Sequence, residues 1–395
     1  MSVDVGRGSA AAGEKETCLG SDIAGNMLSL ARAASVGGAA SGGGRRLAEG
    51  SANGHQTLRK RIELMLSAIP LPEEPMTSVR RFCRAVAPLI VLLACRPESD
   101  SIVSGLLADR FANSEWSDPV NLGPVVNSSA LDANAGLSSD AHTLFFVSTR
   151  TGGLGNLDIW MSHRRCLACD WEAPVNLGAP INSDAIDAAP TMSDDGRLLF
   201  FYSARAGGFG LGDVYVSHRV STGADGDVWA PPVNLGPDVN TAANEQGTFY
   251  VHEPGEPNAF VYFNRPTAGG SIDVYRVAVS NDGDALGPAV LVPELSDPTT
   301  FDQKVAVSAD GHELLLSSMR AGGFGNFDIW RFTRQSAQDP WSNPTHLDAP
   351  INTPDVDSQP LLSRDGRTLI FTSIRAGGHG AQDLWMSTRR PSPNS

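Results

Sequence analysis

From residue 114 onward the apolar positions come in short blocks separated by Gly, Pro, Asn and Asp. The blocks Leu144-Phe-Phe-Val147, Leu198-Leu-Phe-Phe-Tyr202 and Leu369-Ile-Phe-Thr372 are almost wholly apolar. A run this short, bounded by turn residues, predicts a strand covered on both faces. Before each such block lies a mixed stretch that starts after an acid and ends at a Ser, as in residues 188–193. The joints Asp195-Gly196, Asp310-Gly311 and Asp365-Gly366 suit tight hairpins, because Gly accepts the left-handed backbone that such turns require. A third strand carries Asp-Ile-Trp-Met-Ser. A fourth carries Trp-x-x-Pro-Val-Asn-Leu.

These four strands recur. The third-strand motif appears at Asp158, Asp213, Asp273, Asp328 and Asp383, each after a Gly-Gly turn, with spacings of 55, 60, 55 and 55. The arginines Arg150, Arg205, Arg265, Arg320 and Arg375 keep the same spacings. Four-stranded units at a fixed period predict an all-β chain folded as a β-propeller, here over residues 114–390. The ends of the array set the blade number. Residues 116–123 supply a fourth strand with no partners before it, and the last repeat supplies three strands and lacks a fourth. Joining them gives a five-bladed ring of four-stranded blades, closed by strand 116–123 on the C-terminal blade, with no free sheet edge at the seam.

The chain before the repeats has another character. Residues 1–75 are rich in Gly, Ala and Ser, a composition that buries too little apolar surface to offset its ordering entropy. One amphipathic stretch, 58–69, has helical spacing. Residues 76–94 then run from the basic segment Arg80, Arg81, Arg84 into ten apolar residues, Ala85 to Ala94, and Cys95 follows. Ten residues are too few to span a bilayer and fit the apolar part of a secretory signal. Met76 is then the expected start, with 1–75 an over-read, 95–113 a tether and 391–395 a tail.

Charge sharpens this division. The 395 residues carry a net −14. Residues 1–95 hold 11 basic and 8 acidic side chains and the remainder 19 and 36, so the later part stands at −17, with Lys304 its only lysine. Such a domain repels nucleic acid and anionic lipid and attracts cations. Gly 41 and Pro 26 agree with a turn-rich β-protein.

Two resemblances follow from these residues. Leu92-Leu93-Ala94-Cys95 resembles the lipobox of bacterial lipoproteins, which implies a diacylated Cys95, a membrane link through that lipid and a place in the cell envelope. Arg96 stands where inner-membrane lipoproteins carry Asp, which implies the outer membrane. The pattern Ser-x-Asp-Gly-x-x-Leu-x-Phe-x-Ser-x-Arg-x-Gly-Gly to Asp-Ile-Trp resembles the TolB-type, WD40-like (PD40) propeller repeat of bacterial envelope proteins. That implies the fold and protein partners, although the additional N-terminal domain of TolB-type proteins has no counterpart here.

The candidate chemistry begins with five acids. Asp132, Asp187, Glu245, Asp302 and Asp357 each lie six residues before the end of the first strand, the strand that lines a propeller channel. They are expected to circle one mouth of it. Five like charges need cations or arginines. Three readings stand side by side: ion pairing with the repeat arginines of the same or the next blade, a calcium or ligand site, and a glycosidase-like pair, which needs two carboxyls about 5–9.5 Å apart. The third-strand aspartates are a calcium motif, turn caps that accept backbone N–H bonds, or partners for the same repeat arginines. Cys166 and Cys169, in the hairpin between the third and fourth strands, predict a disulfide in an oxidising compartment, because four zinc ligands are lacking. His163, His218 and His379 have no triad partner, and no phosphate or dinucleotide loop occurs. The Trp residues read as blade packing.

Blade three departs from the rest. Residues 251–258 replace its tight hairpin, and residues 224–228 form an odd stretch before Trp229, so a partner is expected on that side. The functional expectation is a non-catalytic envelope module, binding a protein or glycan, without cofactor unless calcium occupies the acid ring. The alternative is a hydrolase acting on glycans at the axis.

Overall fold

The computed structural model describes residues 115–223 and 226–390. The readings placed on 1–75, the signal segment 76–94, Cys95 with the tether to 113, and the tail 391–395 fall outside the described residues, Glu115 being the first described. Among the described residues no helix is long and apolar enough to cross a membrane.

The first strand, β1 (Val120–Asn121), leads through a one-turn helix, α1 (Gly123–Val126), into blade one: β2 (Asp132–Leu137), β3 (Thr143–Ser148), β4 (Asp158–His163) and β5 (Val175–Asn176). Blade two holds β6 (Asp187–Met192), β7 (Leu198–Ser203), β8 (Asp213–Gly223) and β10 (Val233–Asn234), with β9 (Gly226–Trp229) paired on the outer half of β8. Blade three is β11 (Gln246–Val251), β12 (Ala259–Pro266), β13 (Ile272–Val279) and β14 (Val290–Leu291). Blade four is β15 (Asp302–Val307), β16 (Glu313–Ser318), β17 (Asp328–Thr333) and β18 (Ser342–His346). Blade five is β19 (Asp357–Leu362), β20 (Thr368–Ser373) and β21 (Asp383–Thr388), completed by β1. Every pairing within the blades is antiparallel. The protein is an all-β, five-bladed propeller.

The expected closure is present. Val120 pairs with Met386 and Asn121 with Trp385, while Trp116 bridges Arg389. The fourth strand is shorter than its motif suggested. In four blades only the Val-Asn or Val-Leu pair forms a ladder.

The apolar second strands are the centres of the blades. Leu144, Phe146, Leu199, Phe201, Leu314, Leu316, Leu369 and Phe371 are all fully buried, each worth about 1.5–3 kcal/mol of apolar transfer. The first strands β2, β6, β11, β15 and β19 pack against one another around the axis. Each carries a register shift directly after its first residues. In four of them the position two after the Asp or Glu at the start of the strand takes a left-handed backbone: Asn134 (φ 57°), Ala189 (51°), Gly247 (69°, two after Glu245) and Gln359 (53°). Such bulges re-aim a side chain out of the regular pleat. In blade four the same position is Lys304.

Candidate functional site

The five acids do not circle an open mouth. Asp132, Asp187, Glu245, Asp302 and Asp357 have no solvent exposure, and each is held by the arginine of its own blade. The N···O distances are 2.5 Å for Arg150–Asp132, 2.8 Å for Arg205–Asp187, 2.7 Å for Arg265–Glu245, 2.7 Å for Arg320–Asp302 and 2.6 Å for Arg375–Asp357. The rest of each group is also engaged. In blade two, Asp187 Oδ2 accepts from Ser183 N and Ser183 Oγ, and Oδ1 accepts from Ser203 Oγ at 2.6 Å. Arg205 Nε donates to Ser203 Oγ, its Nη2 reaches the carbonyl of Ile181, and the guanidinium lies over Phe201 and Tyr215. Burial pushes the Asp302 carboxyl up, against the pull of Ser318 and Arg320. Each pair therefore clamps the start of the first strand to the end of the second and to the loop before it.

Blade three builds the clamp differently. Elsewhere the acid faces a Ser across the ladder, as Asp187 faces Ser203. In blade three Gln246 faces Asn264, which sets Glu245 opposite Arg265. Arg265 thus stands where the other blades have Ser, and its Nε meets the longer Glu245 directly. Asn264 in turn occupies the place of Tyr202: Tyr202 pairs with Val214 and Ala188, Asn264 with Val274 and Gln246. The two chain spacings of 60 and 55 around Arg265 concealed this shift.

The third-strand aspartates are turn caps. Asp158 accepts from the N–H of Leu154 (2.5 Å) and of Gly155 (3.0 Å), and Asp213, Asp328 and Asp383 repeat the arrangement. The Gly-Gly turn is needed because a Cβ at Gly153 would run into Asp158 Oδ2. Asn176 of the fourth strand also donates to Asp158, at 3.1 Å. Asp273, on the shorter turn of blade three, leaves Oδ1 without a partner among the described residues. Among those residues no three His, Cys, Asp or Glu side chains come together in a metal-binding group. Cys166 and Cys169 form a disulfide.

Two further sets of residues escaped the sequence reading. Six positions after the turn-capping Asp stands a second arginine series, each stacked on the fourth-strand Trp: Arg164 on Trp171, Arg219 on Trp229, Arg334 on Trp341 and Arg389 on Trp116. Their spacing was visible, but Val279 breaks the series in blade three. Two members also join blades. Arg334 pairs with Glu253 at 2.8 Å, and Arg389 with Glu313. Burial opposes ionisation of Glu313, but Arg389 and Arg331 hold its carboxyl below the usual range. Glu253 belongs to the long 251–258 loop, so that loop is docked on blade four through a buried ion pair. Of the 224–228 stretch, residues 226–228 lie on β9, which pairs with β8, with Val220 and Val228 exposed; residues 224 and 225 fall outside the described residues.

The other set lines the axis. A cavity of about 350 Å³ opens at the end where the first strands begin. The residues two after each ring acid all border it: Asn134, Ala189, Gly247, Lys304 and Gln359. Lys304 is 2% exposed, and its Nζ donates to Asn134 Oδ1 (2.7 Å) and to the Ala135 carbonyl (2.9 Å) across the ring. Burial without a carboxylate partner brings its ammonium down to about 7. At the other end of the channel Arg364 and Asp194 pair at 2.6 Å, beside a cavity of only about 70 Å³.

No protein-family model matches this chain, and no curated protein matches it in sequence. Among solved structures it is similar to an α-L-arabinofuranosidase from Lactobacillus brevis, at 13% identity and TM-score 0.48 over 69% of this chain and 94% of that one. It is similar to a GH62 hydrolase in complex with xylotriose, at 12% identity and TM-score 0.48 over 71% and 99%. It is also similar to TolB from Acinetobacter baumannii, at 17% identity and TM-score 0.39 over 67% and 55%.

Proposed function

We propose that this chain is a non-catalytic binding and scaffold module of the bacterial envelope, presenting a propeller to a protein or glycan partner and anchored by lipid on Cys95 in the outer membrane. The observation that carries the reading is the state of the five acids. A glycosidase needs one carboxyl to deliver a proton and a second to attack or activate water, both open to substrate. Here every acid of the ring is enclosed and committed to the arginine of its own blade. A clamp of that kind gives a rigid ring, and a rigid ring presents loops and a channel mouth at little ordering cost.

The experiment has two arms. Purified full-length protein is offered a panel of aryl glycosides, arabinofuranosides included, with Asp187→Asn beside it. No turnover in either is expected. Turnover lost in a folded Asp187→Asn protein would overturn the non-catalytic reading in favour of the hydrolase. Mass spectrometry of the membrane fraction supplies the second arm. A mature chain beginning at a lipid-modified Cys95 is expected, and peptides from residues 1–75 in that chain would overturn the anchor.

A further inference from the structure

The axial cavity offers a chemistry that the binding-module reading does not use. Among the described residues no carboxylate lines it, and the five ring acids are turned onto their arginines. Six amides do: Asn134, Asn244, Gln246, Asn264, Gln303 and Gln359. They come with one cation, Lys304, and one phenol, Tyr202. The volume of about 350 Å³ lies at the small end of the range for ligand pockets, about 300–1,000 Å³.

Two observations point to an occupant. Asn264 is 2% exposed, yet neither its Oδ1 nor its Nδ2 has a hydrogen-bond partner among the described residues, and Asn244 Oδ1 is in the same state. A buried amide left unbonded is costly, and native interiors rarely leave one so. An amide presents a donor and an acceptor side by side, which is what a hydroxyl group accepts and donates to. The second observation is Lys304. An ammonium carries three donors, and two are placed on Asn134 and Ala135. No acid lies within ion-pair distance of it among the described residues, so its charge is buried without a counter-charge. Its bonds across the ring account for its position but not for the orphan amides of Asn264 and Asn244.

We propose that this cavity binds a small hydroxylated carboxylate of the sugar-acid class, with Lys304 on the carboxylate and the ring of amides, Asn264 foremost, on the hydroxyls. A single cation matches a single negative charge; a phosphate dianion is usually met by several cations or an arginine fork. The four left-handed positions, Asn134, Ala189, Gly247 and Gln359, all line the cavity. The inference rests on the binding-module reading and names a ligand for it.

Calorimetric titration of the full chain tests the proposal, with D-glucuronate and D-galacturonate as probes and D-glucose, acetate and inorganic phosphate as controls. Saturable binding of a uronate at about pH 6 is expected, with a loss of about tenfold or more at about pH 9, where Lys304 is neutral. Tyr202, the other titratable group on the cavity, is pushed up by burial and stays neutral throughout. Lys304→Met should weaken binding about tenfold or more, and Asn264→Ala severalfold, with circular dichroism showing both folded. If Lys304→Met does not fold, Asn264→Ala and the pH pair on the unmodified chain decide. Equal affinity for glucose and glucuronate, phosphate binding in preference to uronate, pH-independent binding, or no saturation by either uronate would each overturn the proposal. A chain that ignores uronates but retains an envelope partner loses only this site. A chain that hydrolyses glycosides loses only the non-catalytic reading.

Discussion

Lys304 Nζ lies 2.7 Å from Asn134 Oδ1, although the two residues belong to blades four and one and are 170 positions apart in the chain. The bond crosses the axis of the ring instead of following its circumference, and it puts the sole lysine beyond residue 95 where water is nearly excluded.

That position predicts a pH dependence of stability. The Lys304 ammonium is brought down from 10.5 to about 7 by burial. Between those values the unfolded chain holds a proton that the folded chain has released, so unfolding free energy rises with pH. The slope from one such group is at most about 1.4 kcal/mol per pH unit. Below about pH 7 both states hold the proton and this contribution to the slope vanishes, leaving the folded state with a buried charge. Urea unfolding between about pH 7 and 9.5 reads the effect before the tyrosines titrate. Lys304→Met should flatten the rise; an unchanged slope in that variant would sink the assignment.

The Arg205–Asp187 clamp predicts an asymmetry between substitutions. Arg205→Met leaves Asp187 enclosed with no counter-charge and should cost about 3–5 kcal/mol. Asp187→Asn keeps the shape and the Ser183 contacts and should cost less, and the double variant less than the sum. Because the carboxylate is fully enclosed, the penalty should barely change between low and high salt. Equal costs for the two single variants, or strong screening by salt, would show the pair to be more open than its geometry states.

How far the sequence could carry this is plain from the same residues. That the ring acids pair with the repeat arginines was readable from their nearly matching periods, but not whether Asp132 meets Arg150 of its own blade or the arginine of the next. The closure by residues 116–123 was readable from a strand count. Asn264 was not, because the two-residue shift of blade three leaves the Arg265-to-Asp273 spacing looking ordinary and moves Arg265 into the place of a serine. The Arg–Trp stacks were present in the spacing but masked by Val279. The Lys304–Asn134 bond had no local signal at all, since it depends on how wide the ring is when five blades close. The Cys166–Cys169 disulfide is legible from the spacing of the two cysteines in one hairpin.

Calcium gives a sharper test of the acid ring. A hard cation needs six to eight oxygens, several of them carboxylates, converging at about 2.3–2.6 Å. The ring carboxylates instead spend their oxygens on arginine, serine and backbone N–H groups within one blade each. Calorimetry on the full chain should give no saturable calcium binding at about micromolar levels that Asp187→Asn with Asp302→Asn removes. Micromolar binding abolished in that double variant would show that the arginines yield the acids to a cation.

The seam between the chain ends predicts how the ring fails. Strand β1 does more than pair with β21. Ser117 N donates to Thr388 O at 2.8 Å, Asn121 Nδ2 donates to Asp383 at 2.9 Å, and Asn127 exchanges bonds with both backbone groups of Leu384 at 2.9 Å. Trp116 covers the Arg389 guanidinium, which itself reaches Glu313 of blade four. Removing residues 116–123 therefore uncovers the edge of blade five and loosens its contact with blade four at the same time. Every blade is held by two neighbours, so the loss propagates: the deletion should lower one cooperative melting transition for the whole ring rather than fray blade five alone. Hydrogen exchange separates the two outcomes. Amides of Val261 and Phe263, in the middle of blade three and far from the cut, should lose protection in step with those of Ile370 and Phe371. Protection kept in blade three while blade five exchanges freely would mean that the blades are independent units and that closure serves only its own sheet.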